Sequence, residues 1–394
     1  MRLTGMPLTL AAYSAEVTTN PQFAGRTPES LDRFYLPPSM TGLLDAPPLE
    51  TVGFLEDDNR GAVSAEPVAT LDGVEFHLSV KGVGSCVDPY ASRPLDRDAA
   101  VHLCEDGAVR ARFEHPRVPL PDGEADRLIT GELWLRGSPY GGQGLEHASI
   151  AMNVAQRAEL TSIAGFLIAP VVKVALLPPD LEERIRSVHW YRKYRGRMCQ
   201  EIRLVPSNVR IYFHAKNTIG SDVRSVFEMF HLTSEAAALQ FEVNFVRSVI
   251  PTLTLFARTL RRDETTGRYR GLEFLDVWLD KDAVLAPNGS VYFVDLEGIE
   301  EVAVDRENVR EKVEDQVFRS LYEFVFAFEQ IEAERLRRFG AARNRKAHFE
   351  RVVTEALRSD PFVRTQAGPR GVELRIGNAL GDETLNTAFP LVDA

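Results

Sequence analysis

Cysteine is nearly absent from this chain: Cys86, Cys104 and Cys199 are an odd number set far apart. Such spacing excludes a disulfide framework and lacks the close pairs that zinc ligands and dithiol redox motifs need. Three reduced thiols in a cytoplasm are expected. Long apolar runs are missing as well. No segment approaches the roughly 20 apolar residues of a membrane span, and Tyr13, Ser14 and Glu16 interrupt the opening MRLTGMPLTLAAYSAEV before a signal-peptide core forms. These absences predict a soluble, cytoplasmic protein with no membrane partner. Positive charge is in deficit, with a formal net charge of -11 and a pI near 5.4. That balance repels a phosphate backbone and argues against nucleic acid as the main partner. The basic clusters at 186–197 and 335–346 read first as solvated faces, with a site for an acidic protein or nucleotide phosphates as the alternative.

What is present is ordinary in kind, 44% hydrophobic and 26% charged residues, as in globular proteins. A length of 394 residues exceeds what one core usually supports, so two lobes with a ligand-holding cleft are expected. Residues 1–65, rich in proline and turn formers, read as an irregular N-terminal arm. From 66 to 219 strand signals dominate. They include VEFHLSVK at 74–81, a hairpin around Glu105-Asp106-Gly107, LITGELWL at 128–135, PVVKVALL at 170–177 and a second hairpin, 201–205 with 209–213, around Pro206-Ser207-Asn208. One helix, 145–160, succeeds the glycine-rich turn 137–144. Helical signals take over in 220–360, over 222–230 and 235–260 with a break near Pro251, and along an aromatic stripe from Val309 to Ile331. Residues 361–394 form a loosely patterned tail. The order describes an α+β protein, with a small strand-rich lobe carrying one helix and a larger helical lobe.

The chemistry concentrates in SVYFVDLEGIE, residues 290–300, where Val291–Val294 is apolar on both faces and Asp295 emerges at its end. A carboxylate there must cap the next turn, be paired or bind a metal. Asp282 stands thirteen positions upstream, and Asn288-Gly289 makes a tight turn between the two halves. Pairing 282–287 with 290–294 brings Asp282 and Asp295 to the same end of a hairpin. Two carboxylates at that point suit a hard cation such as Mg2+ bound with nucleotide phosphates. Lysine is scarce, with seven against 39 arginines, which gives weight to Lys81 at the end of a strand and before Gly82-Val83-Gly84. An ammonium beside backbone N–H groups of a glycine turn can hold phosphates. Glu146, at the start of the helix, is the first choice for its ion-pair partner and Glu159 the second. A metal hydrolase built on Asp276, Asp280 and Asp282 is disfavoured because no histidine accompanies the acids. His147 and His214 receive no role.

The loop, short hairpin and acidic exit at 276–298 resemble the catalytic segment of protein kinase-like folds. The resemblance implies a bilobal kinase-like fold in which Asp295 takes the place of the metal-binding aspartate and Asp282 that of the second metal ligand. It places Val277 where the catalytic base is expected, with Asp276 and Asp280 as neighbouring substitutes. The stretch from Lys81 through Gly82 and Gly84 to Pro89-Tyr90 is similar to the lysine segment of the selenoprotein O family, kinase-like proteins that transfer AMP to hydroxyl side chains. Leu31-Asp32-Arg33-Phe34-Tyr35 also resembles that family's N-terminus, while its Asp-Gly-Arg signature is absent between Lys81 and the helix. Together these imply an ATP- and Mg2+-dependent transferase moving a phosphoryl or adenylyl group to a hydroxyl of a protein, peptide or small molecule. The alternative is a pseudokinase that binds nucleotide or protein as a scaffold without turnover.

Overall fold

Strand signals in the first half assemble into one antiparallel sheet. The computed structural model describes residues 3, 7–26, 31–36, 41, 44–57, 61–83, 100–103, 109–112, 143–187, 196–210, 226–274, 279, 282–340, 344–368 and 371–390. The sheet-forming strands are β1 (Pro7–Ser14), β2 (Val17–Thr19), β3 (Arg33–Leu36), β4 (Glu50–Asp57), β5 (Gly61–Leu71) and β6 (Val74–Lys81). A separate hairpin of β7 (Ala100–Leu103) and β8 (Val109–Arg112) stands where the Glu105-Asp106-Gly107 turn predicts it. After β9 (Gln143–Gly144) come α1 (Leu145–Ala155), the two-residue strands β10 (Ser162–Ile163) and β11 (Phe166–Leu167), β12 (Val171–Leu176), α2 (Pro179–Ser187) and β13 (Met198–Val205). The sheet order is β2-β12-β13-β6-β5-β4-β1-β3, with β9 on the start of β13. Strand β13, an interior strand of that order, is buried along its whole length.

The N-terminal arm differs from expectation. Instead of an irregular wrap, β1 pairs with both β3 and β4, and β2 pairs with β12. Pro47 and Pro48 fall in the loop before β4, and the apolar runs of the arm are too short to stand out from one strand alone. Gln200 of β13 accepts from the Tyr35 N–H at 2.7 Å and donates to the Tyr35 carbonyl at 2.6 Å, which satisfies backbone groups of β3. The second expected hairpin does not form among the described residues: β13, which holds 201–205, pairs with β6 and β12. Beyond Val205, the Ser207 hydroxyl donates to the Leu285 carbonyl and the Val209 carbonyl accepts from the Leu285 N–H, so this segment binds a later part of the chain. The strand predicted at 128–135 and most of the 137–144 turn lie outside the described residues.

The second half is mainly helical: α3 (Val226–Met229), α4 (Glu235–Leu253), α5 (Leu255–Arg258), α6 (Val309–Phe339) and α7 (Arg345–Ala356). Ser234 caps α4 by accepting from the Ala237 N–H at 3.2 Å, and Pro251 sits in its last turn before the break at Thr254. The aromatic stripe of α6 is core, with Val309, Val313, Val317, Phe324, Phe328 and Ile331 all buried. Between α5 and α6 lie β14 (Arg261–Arg262), β15 (Tyr269–Phe274), β16 (Ala283–Leu285), β17 (Val291–Phe293) and β18 (Ile299–Val304). The C-terminal residues expected as a loose tail instead form a three-stranded sheet of β19 (Val363–Gly368), β20 (Gly371–Ile376) and β21 (Thr387–Pro390), anchored by buried Val363, Leu374 and Ile376. Only Val363 of the six residues of β19 is buried, so its apolar pattern is too sparse to mark a strand. The result is an α+β protein with a large antiparallel sheet and several helices. Among the described residues, no helix is long and apolar enough to cross a membrane.

Two hydrophobic cores meet at the β16–β17 hairpin. Ala283, Leu285, Val291 and Phe293 belong to the core shared with α1 and the helices. Val284, Ala286, Tyr292 and Val294 belong to the core under the N-terminal strands. Alternating side chains thus bury opposite faces of one hairpin, which accounts for a run apolar on both sides.

Candidate functional site

The hairpin register fixes the acidic residues. Ala283 pairs with Phe293, and the Val294 N–H donates to the Asp282 carbonyl at 2.8 Å, so Asp282 and Asp295 stand at the same end. Strand β17 is held in turn by the segment before β12: Ile168 bridges Phe293, and the Ala169 N–H donates to the Phe293 carbonyl at 2.8 Å. Asp282 is buried and Asp295 is partly exposed. Asp295 occupies the N-cap position of the short 3-10 turn Leu296–Gly298, yet its side chain makes no capping hydrogen bond. Capping therefore does not explain this carboxylate.

Lys81 arrives from the other side. It ends β6 in register with Gly61 of β5 and Glu201 of β13, so one neighbour adds no side chain and the other adds an acid. Gly82 comes next at φ 103°, a left-handed conformation that frees the chain to turn away. The Lys81 ammonium lies 3.3 Å from Asp295 Oδ1 and 3.3 Å from Glu297 Oε1. The three side chains are 17%, 36% and 24% exposed, so the cluster is partly shielded but open to water.

Behind it sits a second, buried charge pair. Arg203 of β13 is ion-paired with Glu201 and donates to the Val294 carbonyl, the peptide group just before Asp295. Arg203 thereby ties the central strand to the acidic exit. Cys199, two residues before Glu201, is free and buried. Its thiol is pushed up to about 12, chiefly by burial, with the Glu182 carboxylate adding and the Lys81 ammonium opposing. A thiol in that state is inert, not nucleophilic. Helix α1 packs on β12, β13 and the Leu296–Gly298 turn, and so supports Glu297 from behind.

No family model matches this chain, and no curated protein does. The site must be judged on its own geometry.

That geometry brings Lys81 onto Asp295, with Gly82 next to the lysine and the Asp282 backbone at the hairpin end that leads into Asp295. The expected Lys81–Glu146 pair is not formed among the described residues: Glu146 is exposed on the first turn of α1, and the acids on Lys81 are Asp295 and Glu297. Glu159, the second choice, is also exposed and its backbone bridges Ser162. Gly84, Asp276 and Asp280 lie outside the described residues. Among the described residues no group of three or more His, Cys, Asp or Glu side chains is arranged to hold a metal. Two carboxylates at one hairpin end still fit a hard cation whose remaining ligands are water and phosphate, the usual pattern for Mg2+. Glu201, Arg203 and the pairing role of Glu297 escaped sequence reading. For Glu201 and Arg203 the signal was the Glu-Ile-Arg alternation inside a largely apolar strand, which resembles a strand with a wet face.

Proposed function

We propose that this protein is an ATP- and Mg2+-dependent transferase of kinase-like, bilobal fold, moving a phosphoryl or adenylyl group to a hydroxyl acceptor. One observation carries the reading: the Lys81 ammonium meets the Asp295 carboxylate across 214 residues of sequence. The chain order around that contact supports it. Lysine ends the last strand of the β4-β5-β6 meander, α1 and the sheet strands β12 and β13 are among the elements after it, and beyond the helices α3–α5 the short β16–β17 hairpin delivers an aspartate. Protein kinases place their phosphate-binding lysine on a third strand and their metal-binding aspartate after such a hairpin.

In this reading Lys81 binds nucleotide phosphates, while Asp282 and Asp295 would hold Mg2+. The cation, when bound, neutralises the triphosphate charge that builds up during transfer. Arg203 fixes the peptide before Asp295, and α1 braces the turn after it, so the acid is oriented before substrate arrives. Asp276 and Asp280 are the candidates for accepting the hydroxyl proton.

The pseudokinase reading is kept for one reason: Val277 stands where the base is expected. Thermal shift with ATP and Mg2+, and then transfer from α- and γ-labelled ATP, separates the cases. Label from the γ position marks phosphoryl transfer, label from the α position adenylyl transfer, and binding without either a scaffold. Asp295→Ala should lower transfer by about 100-fold or more. An Asp295→Ala protein that binds and transfers as well as wild type would rule out the enzyme.

A further inference from the structure

We infer that Glu297 is the positioning residue for Lys81, in place of a helix glutamate; this rests on the nucleotide-binding role proposed for Lys81. The lysine has two acidic partners at the same distance, 3.3 Å each. They cannot serve the same purpose. Asp295 is the more exposed of the two and stands at the hairpin end beside Asp282, where a divalent cation would engage it. Once its charge is drawn to a cation, Asp295 neutralises Lys81 less, and the nearby cation repels the ammonium. A second carboxylate must then hold the lysine, or the side chain swings into solvent.

Glu297 meets that need by position. It sits on the 3-10 turn Leu296–Gly298, whose Leu296 is fully buried and whose Gly298 faces the Phe274 ring, and which rests against α1. That mounting is rigid. Among the described residues, Glu297 Oε2 is buried without a hydrogen-bond partner while Oε1 takes the lysine, so the side chain is already committed inward. Glu146 has no such commitment: it is exposed and forms no ion pair with Lys81 among the described residues. Glu297 acts through Lys81 and is not itself assigned to substrate or metal.

A double-mutant cycle on the full chain tests this, reading ATP affinity with Mg2+ by calorimetry and stability by thermal unfolding. Glu297→Ala should weaken ATP binding about 10-fold or more, as loss of a charged hydrogen bond does, and Glu297→Asp should recover part of it. Glu146→Ala should bind as wild type. In a Lys81→Ala background the Glu297→Ala change should add almost nothing, because the residue through which it acts is gone. An undiminished additional loss in that background, or normal affinity in Glu297→Ala with a loss in Glu146→Ala, overturns the assignment. Should Lys81→Ala itself bind ATP normally, the nucleotide reading fails instead, and the two failures are told apart. A purely structural role for Glu297 would lower the unfolding temperature of both backgrounds equally and leave the affinity of the folded protein unchanged, which also overturns it.

Discussion

Gly289 stands where a side chain has no room. Its φ of 94° is left-handed, and a Cβ there would lie 2.4 Å from the Phe241 carbonyl oxygen and 2.8 Å from Phe241 Cγ. The tight turn it makes is closed by Gly289 N–H to the Ala286 carbonyl at 2.9 Å, and Asn244 of α4 donates to the Asn288 carbonyl at 2.8 Å. Gly289→Ala therefore incurs both backbone strain and overpacking, each about 1–3 kcal/mol. Urea unfolding should show a loss of that order, and a loss under about 0.5 kcal/mol would mean that α4 yields to the new methyl. At this scale the turn was legible, because Asn-Gly has few other uses between two apolar runs. Lys81 and Asp295 were each legible as strand-end residues of one site, but their direct contact was not, since Glu146 and Glu159 were the partners expected for the lysine. The lysine's second partner was not: Glu297 lies in a turn whose direction depends on how Leu296 buries, and no spacing rule reports that.

Helices α4, α6 and α7 are pinned by one buried acid. Glu242 of α4 is fully buried, accepts from Arg335 Nε of α6 at 2.7 Å and lies 2.7 Å from His348 Nε2 of α7. Arg351 in turn stands 3.1 Å from His348 Nδ1. Removing the shared carboxylate leaves the buried Arg335 guanidinium with only the exposed Glu235 carboxylate, 3.9 Å away, so Glu242→Ala should cost about 3–5 kcal/mol. Glu242→Gln, which keeps the shape and one acceptor, should cost less. Chemical denaturation monitored by helical circular dichroism decides between this and a network that contributes nothing. The helices themselves were readable from the aromatic period of α6, whose stripe is wide and regular. Which polar residues turn inward was not readable, because Glu242 falls among apolar neighbours just as a surface residue on a helix edge would. Val209, the described start of the second strand of the expected 201–205/209–213 hairpin, is bonded elsewhere for a related reason. Pro206-Ser207-Asn208 does turn the chain, but the residues at this turn bond to Leu285, 78 positions beyond Ser207, and turn chemistry carries no information on distant partners.

Across the whole molecule, the β16–β17 hairpin makes the sheet and the helices interdependent. Tyr292 packs edge-on against Phe76 of β6 at 5.4 Å, while Phe293, one residue on, packs against Phe166 and Phe274 at 4.8 and 5.4 Å. The N-terminal strands tighten the coupling: Gln22 donates to the carbonyls of Gln156 and Ala158 and accepts from the Leu160 N–H, so the arm grips the chain just after α1. A perturbation in the sheet should thus be felt in the helices, and His77 offers one that pH controls. It is buried on β6 with Nδ1 2.9 Å from the Ser64 carbonyl. Burial holds its pKa below the ordinary 6.5, opposed only in part by that carbonyl and by Glu75 and Glu66. The unfolded chain therefore binds the proton more readily than the folded one. The stability that neutral His77 contributes is fully present above about pH 6.5 and is lost as pH falls from there through the folded-state pKa. Unfolding monitored at 222 nm, which reports chiefly on α4, α6 and α7, should show its midpoint dropping between about pH 7.5 and about pH 5.5. His77→Gln, able to keep the bond to Ser64 without taking a proton, should flatten that slope. If the slope persists unchanged in His77→Gln, the acid sensitivity lies elsewhere; if it appears in the sheet signal alone, the hairpin does not couple the two cores.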